Sequence, residues 1–280
     1  MRKYLLKKFR IYHVDAFTTE ALTGNPAAVC ILEESIPDES MQAIAFEMNV
    51  SETAFVIPKT HLPIDQRNVF SLRWFTPMKE VPLCGHATLA SSVVLFDDLS
   101  IPYDEITYET KSGPLVAKKD PLGIALDFPL DKPIEAKFPH KNEILQSMGI
   151  IDYQNIFIGQ KTKKLVIHLH SAHEVRSLNP NFEKMKNIPV EDIKGVGVTA
   201  GADASNYDCI TRYFNPWAGV NEDPVTGSVH TLLGYYWAEL LDKKVIYAYQ
   251  ASQRGGEIIL RLKENMRIEL IGKAVIVDRY

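Results

Sequence analysis

Two stretches of the chain are apolar on every side of a helix, not along one stripe: "HATLASSVVLF" (86–96) and "SVHTLLGYYWAELL" (228–241). A helix with one wet face repeats its apolar residues at i, i+3, i+4 and i+7, whereas one apolar all round must be buried all round. Shorter runs rich in β-branched and aromatic residues, bounded by Gly, Pro, Asn or Asp, read as strands. They include "FRIYHVDAF", "ETAFVIP", "SLRWFTP", "GIALDFPL", "LVIHLH", "YDCITRYF", "EIILRL" and "AVIVDRY". The basic opening "MRKYLLKKFR" reads as the lead-in to the first of them, and "MQAIAFEMNV" as a helix ending near Asn49. The pattern predicts two buried central helices, each wrapped by sheet.

The segments in front of those helices repeat. "RWFTPMKEVPLCGH" (73–86) and "RYFNPWAGVNEDPVTGS" (212–228) run in register once three extra residues are allowed after the second proline. Arg73 then meets Arg212, Phe75 meets Phe214, Pro77 meets Pro216, Glu80 meets Glu222, Pro82 meets Pro224 and Gly85 meets Gly227. The offset is close to half the chain, so the repeat indicates two similar domains and excludes a short-period solenoid. The boundary is expected in "KKDPLGIALDFPLDKP", which divides the chain into domains at 1–122 and 123–280, with the last strand, about 267–280, free to cross back to the first.

Composition narrows the class without naming a function. The 280 residues are 46% hydrophobic and 24% charged, with a net charge of −4 mixed in sign along the chain. No basic stripe with interleaved aromatics marks a nucleic-acid surface. No apolar stretch has the length of a signal peptide core or a membrane span. Three widely spaced cysteines make no disulfide framework, and the expectation is a cytoplasmic protein.

Candidate chemistry gathers at the two helix starts. A helix N-terminus offers unpaired N–H groups and partial positive charge, and a glycine there lets a ligand come close. Gly85-His86 and Gly227-Ser228 therefore read either as two anion cradles, one per domain and facing a shared cleft, or as glycines that merely permit tight turns. Cys84 reads as a nucleophile only if a base is oriented on it, and otherwise as small core filling. "VIHLHSAHE" offers His168, His170, His173 and Glu174 either as metal ligands or as a surface-facing strand side ahead of a turn. Glu52 shares a strand face with Ala54 and Val56, where desolvation would raise its carboxyl toward the range of a group that both takes and gives a proton. The alternative is a solvated glutamate on an edge strand. Asp223 would cap the following turn or orient a basic ligand group.

Taken in order, "DAFTTEALTGNPAAVC", "MNVSETAFV", "FTPMKEVPLCGHATLA" and "NEDPVTGSVHTLLGY" resemble the phenazine-biosynthesis PhzF-like family, and the tail "QASQRGGEIILRL…IELIGKAVIV" is similar to its closing strands. The family is related more distantly to diaminopimelate epimerase and proline racemase. The resemblance implies an α+β protein of two pseudo-repeated domains, each a curved, antiparallel-rich sheet or barrel around a central helix. It further implies a homodimer, no metal, no organic cofactor, and an isomerase that shifts a proton on a small carboxylate. The family's catalytic glutamate falls on Glu52, its histidine on His86, and its aspartate and serine on Asp223 and Ser228. Gly85, Thr226 and Gly227 fall at the substrate-binding helix starts. The chain departs from the family's characterised member in carrying Cys84. Epimerases of the related family use two cysteines, one per domain, and "NEDPVTGS" has none. An epimerase or racemase pairing Cys84 with another base is therefore an alternative, as is a binding protein without turnover.

Overall fold

A computed structural model of the chain describes residues 9–59, 63, 66–203 and 206–280. The lead-in at residues 1–8 and part of the loop "PKTHLPIDQRN" lie outside the described residues. The chain forms two compact units, Met1–Phe128 with Ile271–Tyr280, and Pro129–Leu270. The fold is α+β, with two domains.

The first unit contains β1 (Arg10–Ala16), β2 (Asn25–Ile31), α1 (Asp38–Met48), β3 (Glu52–Pro58), β4 (Val69–Phe75), β5 (Glu80–Val81), α2 (Gly85–Val93), β6 (Glu105–Thr110), β7 (Gly113–Asp120) and β8 (Gly123–Pro129). The second contains β9 (Pro133–Glu135), α3 (Lys141–Met148), β10 (Asn155–Gly159), β11 (Leu165–His168), α4 (Ala172–Ser177), α5 (Phe182–Lys186), β12 (Val196–Gly201), β13 (Cys209–Asn215), β14 (Val220–Glu222), α6 (Gly227–Leu241), β15 (Val245–Gln250) and β16 (Gly256–Lys263). After β17 (Arg267–Gly272) the chain ends in β18 (Ala274–Arg279).

The repeat in the sequence is a repeat of topology. In the first unit β1 is antiparallel to β18 and β2, β2 is parallel to β3, and β4 is antiparallel to β3 and β5 but parallel to β6. In the second, β10 is antiparallel to β9 and β11, β11 is parallel to β12, and β13 is antiparallel to β12 and β14 but parallel to β15. Strand for strand, order and sense agree. β8 belongs with the first unit because it pairs antiparallel with β7 through a short turn (Asp120↔Gly123), so the division falls after Phe128 and not at the expected 122.

The central helices behave as their composition dictates, with one correction. Every residue of α2 from His86 to Val93 is buried. α6 is buried on all sides only over its first half; beyond Gly234 burial narrows to Trp237 and Ala238, and Leu240 and Leu241 are exposed. α1 ends at Asn49, whose left-handed backbone (φ 49°) returns its N–H to the Ala45 carbonyl. On its buried side, Met41, Ile44 and Ala45 join Phe55, Ile57 and Phe75. No helix among the described residues is long and apolar enough to cross a membrane.

Candidate active site

Alternation along β3 decides where Glu52 points. Phe55 and Ile57 pack toward α1, so Glu52, Ala54 and Val56 share the opposite face, that of the central helix. The strand is interior, hydrogen-bonded to β2 and β4, which excludes the reading of Glu52 as an edge-strand residue. At the start of α2, Cys84 has extended backbone (φ −146°, ψ 113°), and the helix takes no side-chain cap. His86, 7% exposed, brings Nε2 to 3.2 Å from Oε2 of Glu52, while the Cys84 Sγ lies 3.5 Å from His86 Nδ1. Cys84 is thus more than core filling: its thiol meets the imidazole directly.

Burial and charge compete at this triad. Burial pushes the Glu52 carboxyl up, but the hydrogen bond and charge of His86, aided by the Cys84 thiol, outweigh it, and Glu52 ends below the ordinary carboxyl value of 4.5. Burial pushes His86 down, yet Cys84 and Glu52 together lift it well above 6.5. Burial and the Glu52 charge raise Cys84, against the opposing pull of His86 and of the Ala87 amide. The contacts thus favour the ionised form of Glu52 and the protonated form of His86, while burial favours the neutral form of Cys84. The expectation of a glutamate raised by desolvation is corrected on this point, because a buried cation sits against it.

The same three residues present a carboxylate oxygen, a ring nitrogen and a sulfur all within 4.8 Å of one another, which is the spacing of metal ligands. The imidazole already spends Nε2 on the carboxylate and Nδ1 on the thiol, so a cation held by all three would displace a proton that now bonds them. "VIHLHSAHE" disperses instead of converging. His168 is buried and bonded through Nδ1 to the Tyr236 hydroxyl at 2.7 Å. His170 pairs with Asp152 at 3.2 Å, and Glu174 accepts the His170 amide N–H. This stretch is neither a ligand cluster among the described residues nor a surface-facing strand.

At the start of α6 the residues are tied to each other. Thr226, in the position that Cys84 holds in the first unit, has extended backbone (φ −111°, ψ 97°). Its hydroxyl donates to Asp223 Oδ2 at 2.6 Å, its N–H to Gln250 Oε1 at 2.8 Å, and its carbonyl accepts from His230 Nδ1 at 2.7 Å. The Gln250 amide donates to the Asp223 carbonyl at 2.7 Å. Burial holds His230 down at about 4, so it stays neutral and serves as a fixed donor. Asp223 therefore takes part in the turn that precedes the helix, and Ser228, half-buried, follows Gly227 on the first turn. Gln250 and His230 carry no signature in the sequence: one lies in a strand end, the other within an apolar helix.

Residues 14–279 match the family described as "Phenazine biosynthesis-like protein". An uncharacterised isomerase of Halalkalibacterium halodurans is 46% identical over 270 residues, covering 96% of both chains. The crystal structure of a PhzF-family phenazine biosynthesis protein from Enterococcus faecalis superposes with a TM-score of 0.85 at 37% identity, over 97% of each chain. A hydroxyproline epimerase from Agrobacterium vitis has the same fold at 11% identity, with a TM-score of 0.56 over 97% of this chain and 91% of its own.

Proposed function

Because the chain belongs to the phenazine biosynthesis-like, or PhzF, family, we propose that it is a cofactor-independent isomerase in which Glu52 moves a proton between two carbons of a small carboxylate-bearing substrate. The observation that carries this reading is the buried contact of 3.2 Å between Glu52 Oε2 and His86 Nε2 at a helix start. A carboxylate that stays ionised is available as a proton acceptor, and because His86 weakens it as a base it calls for a carbon already acidified by the substrate's own conjugation. The electron pair of the broken C–H bond passes into the conjugated system of the substrate. The carboxylic acid so formed returns the proton at a second carbon, which restores the carboxylate. While Glu52 is protonated, His86 lacks its counter-charge and is placed to stabilise the anionic intermediate. Gly85, Thr226, Gly227, Asp223 and Ser228 are assigned to binding the polar groups of the substrate.

Incubating candidate carboxylates in heavy water with wild type and Glu52→Gln tests the assignment. Deuterium should enter the substrate with wild type and not with the variant; equal incorporation by both removes Glu52 from the chemistry.

A second reading starts from the 3.5 Å contact of Cys84 with His86: an epimerase in which the Cys84 thiol works with a base other than Glu52, whose carboxylate lies on the same side, within 4.8 Å of the thiol. It requires Cys84→Ala to be inactive, and an active variant eliminates it. The thiol, raised by burial, would serve there as the proton donor.

A further inference from the structure

The register of the ladders allows the second unit to be laid on the first residue by residue. Val196 pairs with Phe214 as Thr53 pairs with Phe75. Gly195 therefore stands in the place of Glu52, and Tyr213 in the place of Trp74. Gly195 has φ +99°, and a Cβ built on it would lie 2.1 Å from the Tyr213 hydroxyl oxygen. A second glutamate is shut out by that hydroxyl. What stands beside it is Lys164.

Lys164 Nζ donates to the Tyr213 hydroxyl at 2.5 Å, lies 4.2 Å from the centre of the Tyr213 ring, and reaches the Lys194 carbonyl at 3.5 Å. The Tyr213 hydroxyl in turn donates to the Lys194 carbonyl. Two residues further on, Val166 lines the space over Gly197 together with Val229 of α6, so Lys164 shares the helix-facing side of the sheet. Along β12, Gly197 lies against Val229 and Thr199 bonds Trp237 Nε1 at 3.0 Å. The strand runs alongside the helix, which places Gly195 and Lys164 at the end where α6 begins. Burial lowers Lys164, the Asp223 charge partly restores it, and the Lys194 charge lowers it further, to about 8. An ammonium has three donors, and the two oxygens named account for two.

We infer that Lys164 is the cationic residue of the second helix start and binds the carboxylate of a small organic acid there. This rests on the reading above only in that the ligand is taken to be a small organic acid. The competing role is a prop that merely ties residue 194 to Tyr213, which would be indifferent to anions.

Reductive methylation with formaldehyde, followed at Lys164 by peptide mass spectrometry, separates the two on wild-type protein. Labelling requires the free amine, and an anion on the ammonium form delays its appearance. Sodium benzoate at pH 8 should slow labelling of Lys164 at least about threefold relative to the same concentration of sodium chloride, with Lys118 unchanged, as an upward pKa displacement demands. Equal rates in the two salts overturn the inference. Glu52→Gln should retain the protection: loss of deuterium exchange without benzoate protection defeats only the role of Lys164, and protection with Glu52-independent exchange defeats only the role of Glu52.

Discussion

The two helix starts share a scaffold and differ in everything placed on it. In the first unit Arg73 grips Glu80 through Nε and Nη2 at 2.8 and 2.9 Å; in the second Arg212 grips Glu222 in the same way at 2.7 and 2.9 Å. Each pair closes the turn that leads to the central helix, and a bidentate guanidinium fixes that turn in orientation as well as distance. The third donor of each arginine has diverged. Arg73 Nη1 reaches Asp38 in the first turn of α1 at 2.7 Å, whereas Arg212 Nη1 collects the carbonyls of Val175, Arg176 and Leu178 at the end of α4. Beyond the clamps, Glu52, Cys84 and His86 on one side correspond to Gly195, Thr226 and Ser228 on the other. A duplicated frame held by rigid clamps leaves the residues at its helix starts free to differ, and here the carboxylate, imidazole and thiol stand together in one copy.

The sharpest way to break that contrast is to remove the glutamate that only one copy has. Glu52→Gln is expected to lower solvent-deuterium incorporation by about a hundredfold or more, the range for loss of a positioned general base, while circular dichroism stays unchanged. Next, the pH dependence of stability should carry the mark of the buried pair. Glu52 is depressed, so its contribution is complete above 4.5 and is lost as pH falls through its folded value. His86 is raised, so its contribution is complete below 6.5 and is lost as pH rises through its folded value. Both are whole between 4.5 and 6.5. His86→Asn should flatten the alkaline side of a urea-denaturation series and also diminish or reverse the acid loss, because burial then acts on Glu52 without the opposing charge. Third, the clamps should differ in weight: Arg212→Met is expected to cost about 3 kcal/mol, since it strands a mostly buried glutamate and three carbonyls, and Arg73→Met about 1–2 kcal/mol. Equal losses in denaturant midpoint would show that the α4 contacts add nothing. The smallest effect is expected at Cys84, where Cys84→Ala should retain deuterium exchange to within about tenfold, a loss of roughly 1.4 kcal/mol in the barrier.

Much of this comparison was legible in the chain itself. The arginine, glutamate, proline and glycine of the repeat are short-range features, and each reappears in the structure as a clamp, a turn or a helix start. The strands around the central helices also announced themselves, because β-branched runs stopped by Pro or Gly have few other outcomes. What could not be read were contacts set by register between distant strands. Nothing near "TKKLV" distinguishes Lys164 from a solvated charge run; only the ladders bring it against Tyr213. The direction of the Glu52 shift was likewise out of reach, because it depends on whether His86 turns its ring toward β3. The histidine-rich "VIHLHSAHE" stayed open between two readings for the opposite reason. Its spacing suggests one cluster, but β11 ends at His168 and the following turn sends His170 to another partner.

The last strand carries a consequence for how the protein is made. β18 pairs with β1 from Ala16↔Ala274 to Tyr12↔Arg279, and Arg279 is held by Asp98. The first unit is therefore incomplete until β18 has been synthesised, while every residue of the second, Pro129–Leu270, precedes that strand in the chain. That arrangement lets the second unit complete its fold before the first, the reverse of the usual N-to-C order on the ribosome. Until β18 arrives, β1 lacks its partner on that edge, and an open edge is where a nascent chain finds the wrong strand.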